Sequence, residues 1–388
     1  SSHSVEITFV KRIIFFFITS ASLIFSSNAF ANDLTGMPGL LDKSDIYAAD
    51  KPNNFAAEVK NDPAYLYVPN TISNTVQVFD QKTYKLISTT KVGKEPQHVV
   101  PSWDLKTLYA NSDKGNSLTP FNPKTGKPGK RISVLDPYNL YFTPNGKYAV
   151  VMSEAMKEIV FRDPHTFAIK KVLKTNCAGV NHADWTADGT SFIATCEFTG
   201  ELIQVDTAKM KVINRLVIPD TYAHRRAKAH HGMPDMGPMP QDVKISPDGK
   251  TYYIADMMSN GLWVMPAPWG NLTFIKTGLG AHGLYVTRDS KKLVISNRDE
   301  GSISVLRFSD NKIIHKWKIP GGGSPDMGGI SADGKIFWVS GRYNDEIYAI
   351  SLDDGHLITK IKTDKGPHGL AVWPQPGRYS LGHTGILR

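Results

Sequence analysis

Cysteine is scarce in this chain: two residues, Cys177 and Cys196, among 388. The Cys-x-x-Cys-His attachment sequence is missing, which excludes covalently bound c-type haem. Long hydrophobic runs are missing as well. The most apolar stretch, residues 13–25, is shorter than the roughly 20 residues a membrane-spanning helix requires. No tract of like charge occurs either. The net charge is +9, but the lysines recur at turns instead of clustering, which argues against nucleic acid as a partner. Ser324 lacks the strand-to-helix elbow of a nucleophilic serine, and no helix follows Gly321-Gly322-Gly323, so hydrolase and phosphate-loop chemistry find no motif.

What is present is a repeat. Residues 280–319 read as four short apolar runs separated by tight turns at Arg288-Asp289-Ser290, at 298–301 and at Ser309-Asp310-Asn311, the content of one propeller blade. Seven such units open with Pro96-Gln97-His98, Pro137-Tyr138-Asn139, Val180-Asn181-His182, Pro240-Gln241-Asp242, Ala281-His282-Gly283, Pro325-Asp326-Met327 and Pro367-His368-Gly369. The steps between their middle residues are 41, 43, 60, 41, 44 and 42, a blade-length period with one insertion. The expected fold is all-β: a seven-bladed β-propeller of four-stranded antiparallel blades.

In chain order, Lys11 and Arg12, the apolar run and Ala29-Phe30-Ala31 predict a signal peptide over residues 1–31. The mature protein is then expected in the periplasm or outside the cell, with no transmembrane segment. Residues 32–62 read as an irregular arm against the propeller rim, and 63–388 as the propeller. The first blade lacks its inner strand, which residues 367–373 are expected to supply, closing the ring and removing the free sheet edge. The turn-rich tail 377–388 is expected outside, or against, this closing blade. The register around Ala187-Asp188-Gly189 brings Cys177 and Cys196 close. In an oxidising compartment that predicts a structural disulfide, with thiolate metal ligation as the alternative.

Strand entrances are the positions from which side chains reach the axial mouth of a propeller. Four of the twelve histidines stand there, His98, His182, His282 and His368, with Asp242 among their neighbours. Imidazoles and carboxylates converging on one axis suit a transition metal; capping of strand starts is the competing role. The insertion, residues 221–239, joins one blade's outer strand to the next inner strand and so is expected over the mouth. It carries His230, His231, Met233, Met236 and Met239, soft donors that favour copper. Arg298, Asp299, Glu300, Arg342 and Tyr343 lie in mouth-face turns, where an anion site and ordinary polar turn residues are the competing readings.

Val68-Pro69-Asn70-Thr71-Ile72-Ser73-Asn74-Thr75-Val76-Gln77-Val78-Phe79-Asp80 resembles the core motif of the YVTN-repeat, or YncE-like, propellers, and Ile245-Ser246-Pro247-Asp248-Gly249-Lys250 resembles their inner hairpin. The Gly322–Gly328 and Trp373–Gly385 stretches resemble a bacterial exported subset of that family. The propeller of nitrous oxide reductase is similar in placing copper-binding histidines at strand entrances. That likeness reaches only His98, His182, His282 and His368, and no electron-entry domain follows. The haem-binding denitrification propellers are similar in repeat, and imply a non-covalent haem.

Three functions follow as expectations. The first is a copper-binding exported carrier or accessory factor, with His98, His182, His282, His368, Asp242 and the insertion's donors as ligands. The second is a scaffold for a periplasmic or extracellular protein partner, anchored by Phe198, Trp269 and Tyr343. The third is a redox enzyme or accessory protein using non-covalent haem or quinone. No catalytic residue is assigned.

Overall fold

The structure is a computed structural model that describes residues 33–221 and 237–388. Short runs of β-branched and aromatic residues pair as hairpins because the turns between them carry the right backbone chemistry. The turn between second and third strands ends on a left-handed residue in every blade: Asn74, Asn116, Lys157, Gly200, Asn260, Gly301 and Asp345. Asn, Asp and Gly tolerate that conformation best, and they occupy six of those seven positions.

The result is a ring of seven antiparallel sheets. Blade 6 shows the unit: inner strand Ala281–Val286, then Lys292–Asn297, Ser302–Arg307 and outer strand Lys312–Lys318. Blade 1 takes its inner strand from the other end of the chain, where Ala371–Trp373 pairs antiparallel with Tyr65–Asn70. Leu66, Val68, Leu370 and Val372 pack there on Trp338 and Ile347 of blade 7, so the seam is buried like any other blade interface. Blade 2 departs from the pattern. Its outer strand is broken into Lys127–Pro128 and Ile132–Ser133, which pair separately with Ser117–Asn122. Pro128 has no N–H to continue the ladder, and Gly129 follows it.

Two segments lie elsewhere than the sequence implied. The arm does not follow the rim. It runs under the face opposite the mouth, where Leu34 N donates to Asp188 O, Ile46 N to Pro247 O and Asn53 N to Ala332 O, at the inner hairpin turns of blades 4, 5 and 7. The tail does not stay outside the ring. Gly382 bridges Tyr141, His383 N donates to Leu140 O, and Ser380 Oγ donates to Pro101 O, so it enters the axial channel against the inner strands of blades 2 and 3. Its apolar residues Tyr379, Leu381 and Ile386 join a core cluster with Trp185, and that burial outweighs its turn-rich composition. Cys177 and Cys196 are joined in a disulfide beside the inner strand of blade 4.

Candidate metal centre at the propeller axis

The inner strands bulge where they begin. The pairing register slips between Pro96 and His98, Val180 and His182, Pro240 and Val243, Ala281 and Leu284, and Pro325 and Gly328. A bulge leaves one residue out of the ladder and re-aims its neighbours. Here it turns the entrance side chains toward the axis, where they stack in tiers.

The outer tier comes from the first residue after each second strand: Thr71, Asp113, Glu154, Glu197, Met257, Arg298 and Arg342. In ring order this is one neutral residue, three consecutive acids, a thioether and two guanidiniums. The middle tier is Gln97, Tyr138, Asn181, Gln241, His282, Asp326 and His368. The two tiers touch: Asn181 Nδ2 donates to Glu154 and Glu197 at 3.0 and 2.7 Å, and Gln97 Nε2 donates to Asp113 Oδ2 at 3.3 Å. Below them lie His98, Asn139, His182 and Asp242, together with His383 from the tail.

Within this stack two trios bring potential ligand atoms within 4.8 Å of one another, His98 with His182 and His383, and His282 with Asp326 and His368. All six are buried. They differ in what their nitrogens are doing. His98 Nδ1–H donates to the Tyr138 carbonyl at 2.9 Å and His182 Nδ1–H to Asn181 Oδ1 at 2.7 Å. Their Nε2 atoms, and that of His383, are buried without a hydrogen-bond partner. His383 Nδ1 rests on the Asn139 amide, 2.9 Å from Nδ2, which donates to it, and 3.3 Å from Oδ1; ligation through Nε2 requires the other tautomer, with Nδ1–H turned to Oδ1. In the other trio His368 Nδ1–H donates to Gln97 Oε1 at 2.8 Å, and its Nε2 takes an Arg342 N–H at 3.3 Å. Asp326 Oδ1 lies 2.6 Å from His282 Nε2, with Arg298 and Arg342 each 3.6 Å from the carboxylate.

Electrostatics follow from burial. Desolvation pushes His98 down to about 4 and His182, His383 and His368 well below the usual imidazole range, so all four are neutral at neutral pH. Neutral imidazole is the form that ligates metals. Burial alone raises Asp326, but the imidazoles of His282 and His368 and the Arg298 guanidinium hold it well below the usual carboxylate range.

Of the residues singled out by sequence, His98 and His182 come together, and His282 and His368 come together one tier up. Asp242 stands apart, held by Lys244 Nζ at 3.1 Å and by the amides of Val243 and Leu284, with Oδ1 3.8 Å from His383 Nε2. Met239 is buried in an apolar cluster with Met257 and Met258. His230, His231, Met233 and Met236 lie outside the described residues. Sequence reading missed His383, which belongs to no repeat. Asp326 is the second carboxylate at the aligned entrance positions, although the expected ligand set includes only Asp242 of the two. The outer tier was legible as the residue following each second strand, had that column been aligned. Glycine is needed beside His98, where a Cβ on Gly369 would run into the ring.

These features define a class, a seven-bladed propeller with a buried polar axis that its own C-terminal tail enters. A profile of the YNCE-like beta-propeller family matches residues 28–376, and the chain belongs to that family. Among solved structures, a protein of unknown function from Desulfotomaculum acetoxidans superposes with TM-score 0.63 at 12% identity, over 80% of this chain and 98% of that one. Kuenenia stuttgartiensis hydrazine synthase gives 0.58 at 17% identity, over 71% and 88% of the two chains. The β-propeller domain of Myceliophteria thermophila Cps50 (Swd1) gives 0.57 at 16% identity, over 73% and 91%. Such distant likeness carries the fold alone. A comparison with curated proteins finds no match.

Proposed function

We propose that this propeller binds one late first-row transition ion, copper foremost, on His98, His182 and His383, and serves outside the cytoplasm as a carrier or accessory factor. One observation carries the reading: three buried imidazoles offer convergent ligand atoms, and their Nε2 atoms have no hydrogen-bond partner in the protein. An unpaired buried polar atom is costly, and three at one point are costlier still unless a ligand meets them. The second shell supports it, since Nδ1–H donation to Tyr138 O and Asn181 Oδ1 fixes ring orientation in the way metal-bound histidines require. Neutral nitrogen ligands suit copper and zinc, and the Irving–Williams order ranks copper first.

Ring centres only 5.0 to 5.9 Å apart within the trio favour a single ion over a haem macrocycle. Copper binding to the purified chain, followed by equilibrium dialysis, elemental analysis and electron paramagnetic resonance of the Cu(II) form, tests the reading. The expected result is one ion per chain with nitrogen hyperfine structure. Retention of less than about a tenth of an ion per chain would sink it.

A further inference from the structure

The second trio is built differently from the first, and the difference points to another kind of ligand. Its His368 Nε2 is already taken by Arg342, and two guanidiniums stand 3.6 Å from Asp326, so a second divalent cation there would meet two fixed positive charges at close range. Arg298 and Arg342 both lie over one ring, that of Tyr343, at 5.2 and 5.9 Å from its centre, which brings two like charges to the same spot. Asp326 faces both cations, with Asp299 adding negative charge near Arg298 and Glu197 near Arg342. Arg298 is buried with its Nε unpartnered, and His282 Nδ1 is likewise buried without a partner. Across the mouth, burial pushes the acids up, Asp113 to about 7 and Glu154 well above the usual range beside Glu197, which weakens their opposing charge. Arg342 also borders a surface hollow of about 390 Å3 lined by Thr71, Asn74, Lys94, Glu95 and Tyr343, which gives its guanidinium access to solvent.

We infer that Arg298, Arg342 and His282 form a binding site for a small oxyanion, seated on the mouth side of the imidazole trio and able to serve as the external ligand of an ion held there. The link between the sites rests on the metal reading above. The site itself rests on the two guanidiniums, whose planar N–H forks match two-oxygen anions. His368 connects the tiers, its ring centre lying 4.7 Å from that of His98.

Calorimetric titration of sodium nitrite, formate and phosphate into the full chain, with and without copper, tests it beside Arg342→Gln and Arg298→Lys, each checked for an unchanged melting profile. Saturable binding of at least one anion, weakened roughly tenfold or more in Arg342→Gln as one charge-assisted pair is lost, is the expected result. In copper-loaded protein the same anion should shift the paramagnetic spectrum. Copper binding with no saturable anion binding, or with equal binding in wild type and both variants, overturns the inference and leaves the metal reading standing. Arg-dependent anion binding without copper binding supports the site and overturns the metal reading instead. A second copper equivalent that disappears in Asp326→Asn and that anions do not displace also overturns it, because the tier would then be a metal site.

Discussion

Two buried charge clusters lie on the axis of this propeller, and they are finished to different degrees. At the closed end Arg388 donates to Asp184 Oδ1 at 3.0 Å, to Trp185 O at 2.9 Å and to Thr186 O at 3.2 Å. Asp184 in turn accepts from the amides of Trp185 and Ile245 at 2.9 and 2.8 Å. At the mouth Asp326 has His282 Nε2 at 2.6 Å, but its guanidiniums stand 3.6 Å away, too far for hydrogen bonds, and the Nε2 atoms of His98, His182 and His383 have no hydrogen-bond partner. Both carboxylates are fully buried, so the contrast lies in how each is met: Asp184 takes hydrogen bonds from amides and guanidinium alike, and Arg388 Nε is the guanidinium nitrogen left without a partner at that end. A closed network fixes the tail in place, whereas an open one with convergent atoms is arranged for something the protein does not itself supply.

The largest expected effect tests the closed cluster. Arg388→Met should leave Asp184 buried with its amide donors but no counter-charge, costing about 3–5 kcal/mol in chemical denaturation. Copper affinity, measured on the fraction that remains folded, should change little. A large loss of affinity at full stability would erase the distinction between the two ends.

The disulfide comes next. It closes a loop of sequence separation 19 beside the entrance that carries His182. The double variant Cys177→Ser, Cys196→Ser should lose about 3 kcal/mol of stability by the chain-entropy estimate, read from the shift in denaturation midpoint. Because the bridge orders only blade 4, copper binding should weaken less than on loss of a ligand.

The open cluster answers differently. His383→Ala should lower copper affinity more than about 100-fold, beyond what loss of an outer-shell partner costs, in competition with a chelator of known strength. The stability change should stay below that of Arg388→Met, since the ring gives up its Nδ1 contact with Asn139 but no charge pair of its own, and its Nε2 has no hydrogen bond to lose. Equal losses of stability in the two variants would make His383 another structural plug.

The repeat made the propeller legible from sequence, because a period near 42 residues and left-handed turn residues at matching positions are local signals. The strand entrances were legible for the same reason, and they located His98, His182, His282 and His368. What the sequence hid came from tertiary contacts. His383 lies outside every repeat, and only the packing of Leu381 and Tyr379 into the core carries it to the axis. Asp242 aligned with His98 and His182 in the repeat, but Lys244 two residues on, pointing the same way along the strand, takes its charge. The separation of two trios also escaped alignment, since it depends on Arg342 reaching His368 across neighbouring blades.

The smallest effect sharpens the contrast within the mouth itself, between the acidic arc and the arginine pair. Burial, then the Glu95 charge, raises Asp113 to about 7, partly offset by the Lys114 amide and Gln97, with Asp136 adding to the rise. A carboxyl whose folded pKa lies above its unfolded value near 3.9 contributes stability that is whole below pH 4 and is lost as pH climbs through 7. Wild type should therefore weaken between pH 4 and 8. Asp113→Asn keeps an acceptor for Gln97 and removes that slope, so it should be more stable than wild type at pH 8 by about 2 kcal/mol, roughly half what the full shift allows. The two proteins should converge near pH 4. A variant that follows the wild-type pH profile in parallel would mean that Asp113 is ionised and solvated in the folded protein, and that the acidic arc opposes the arginines at full charge.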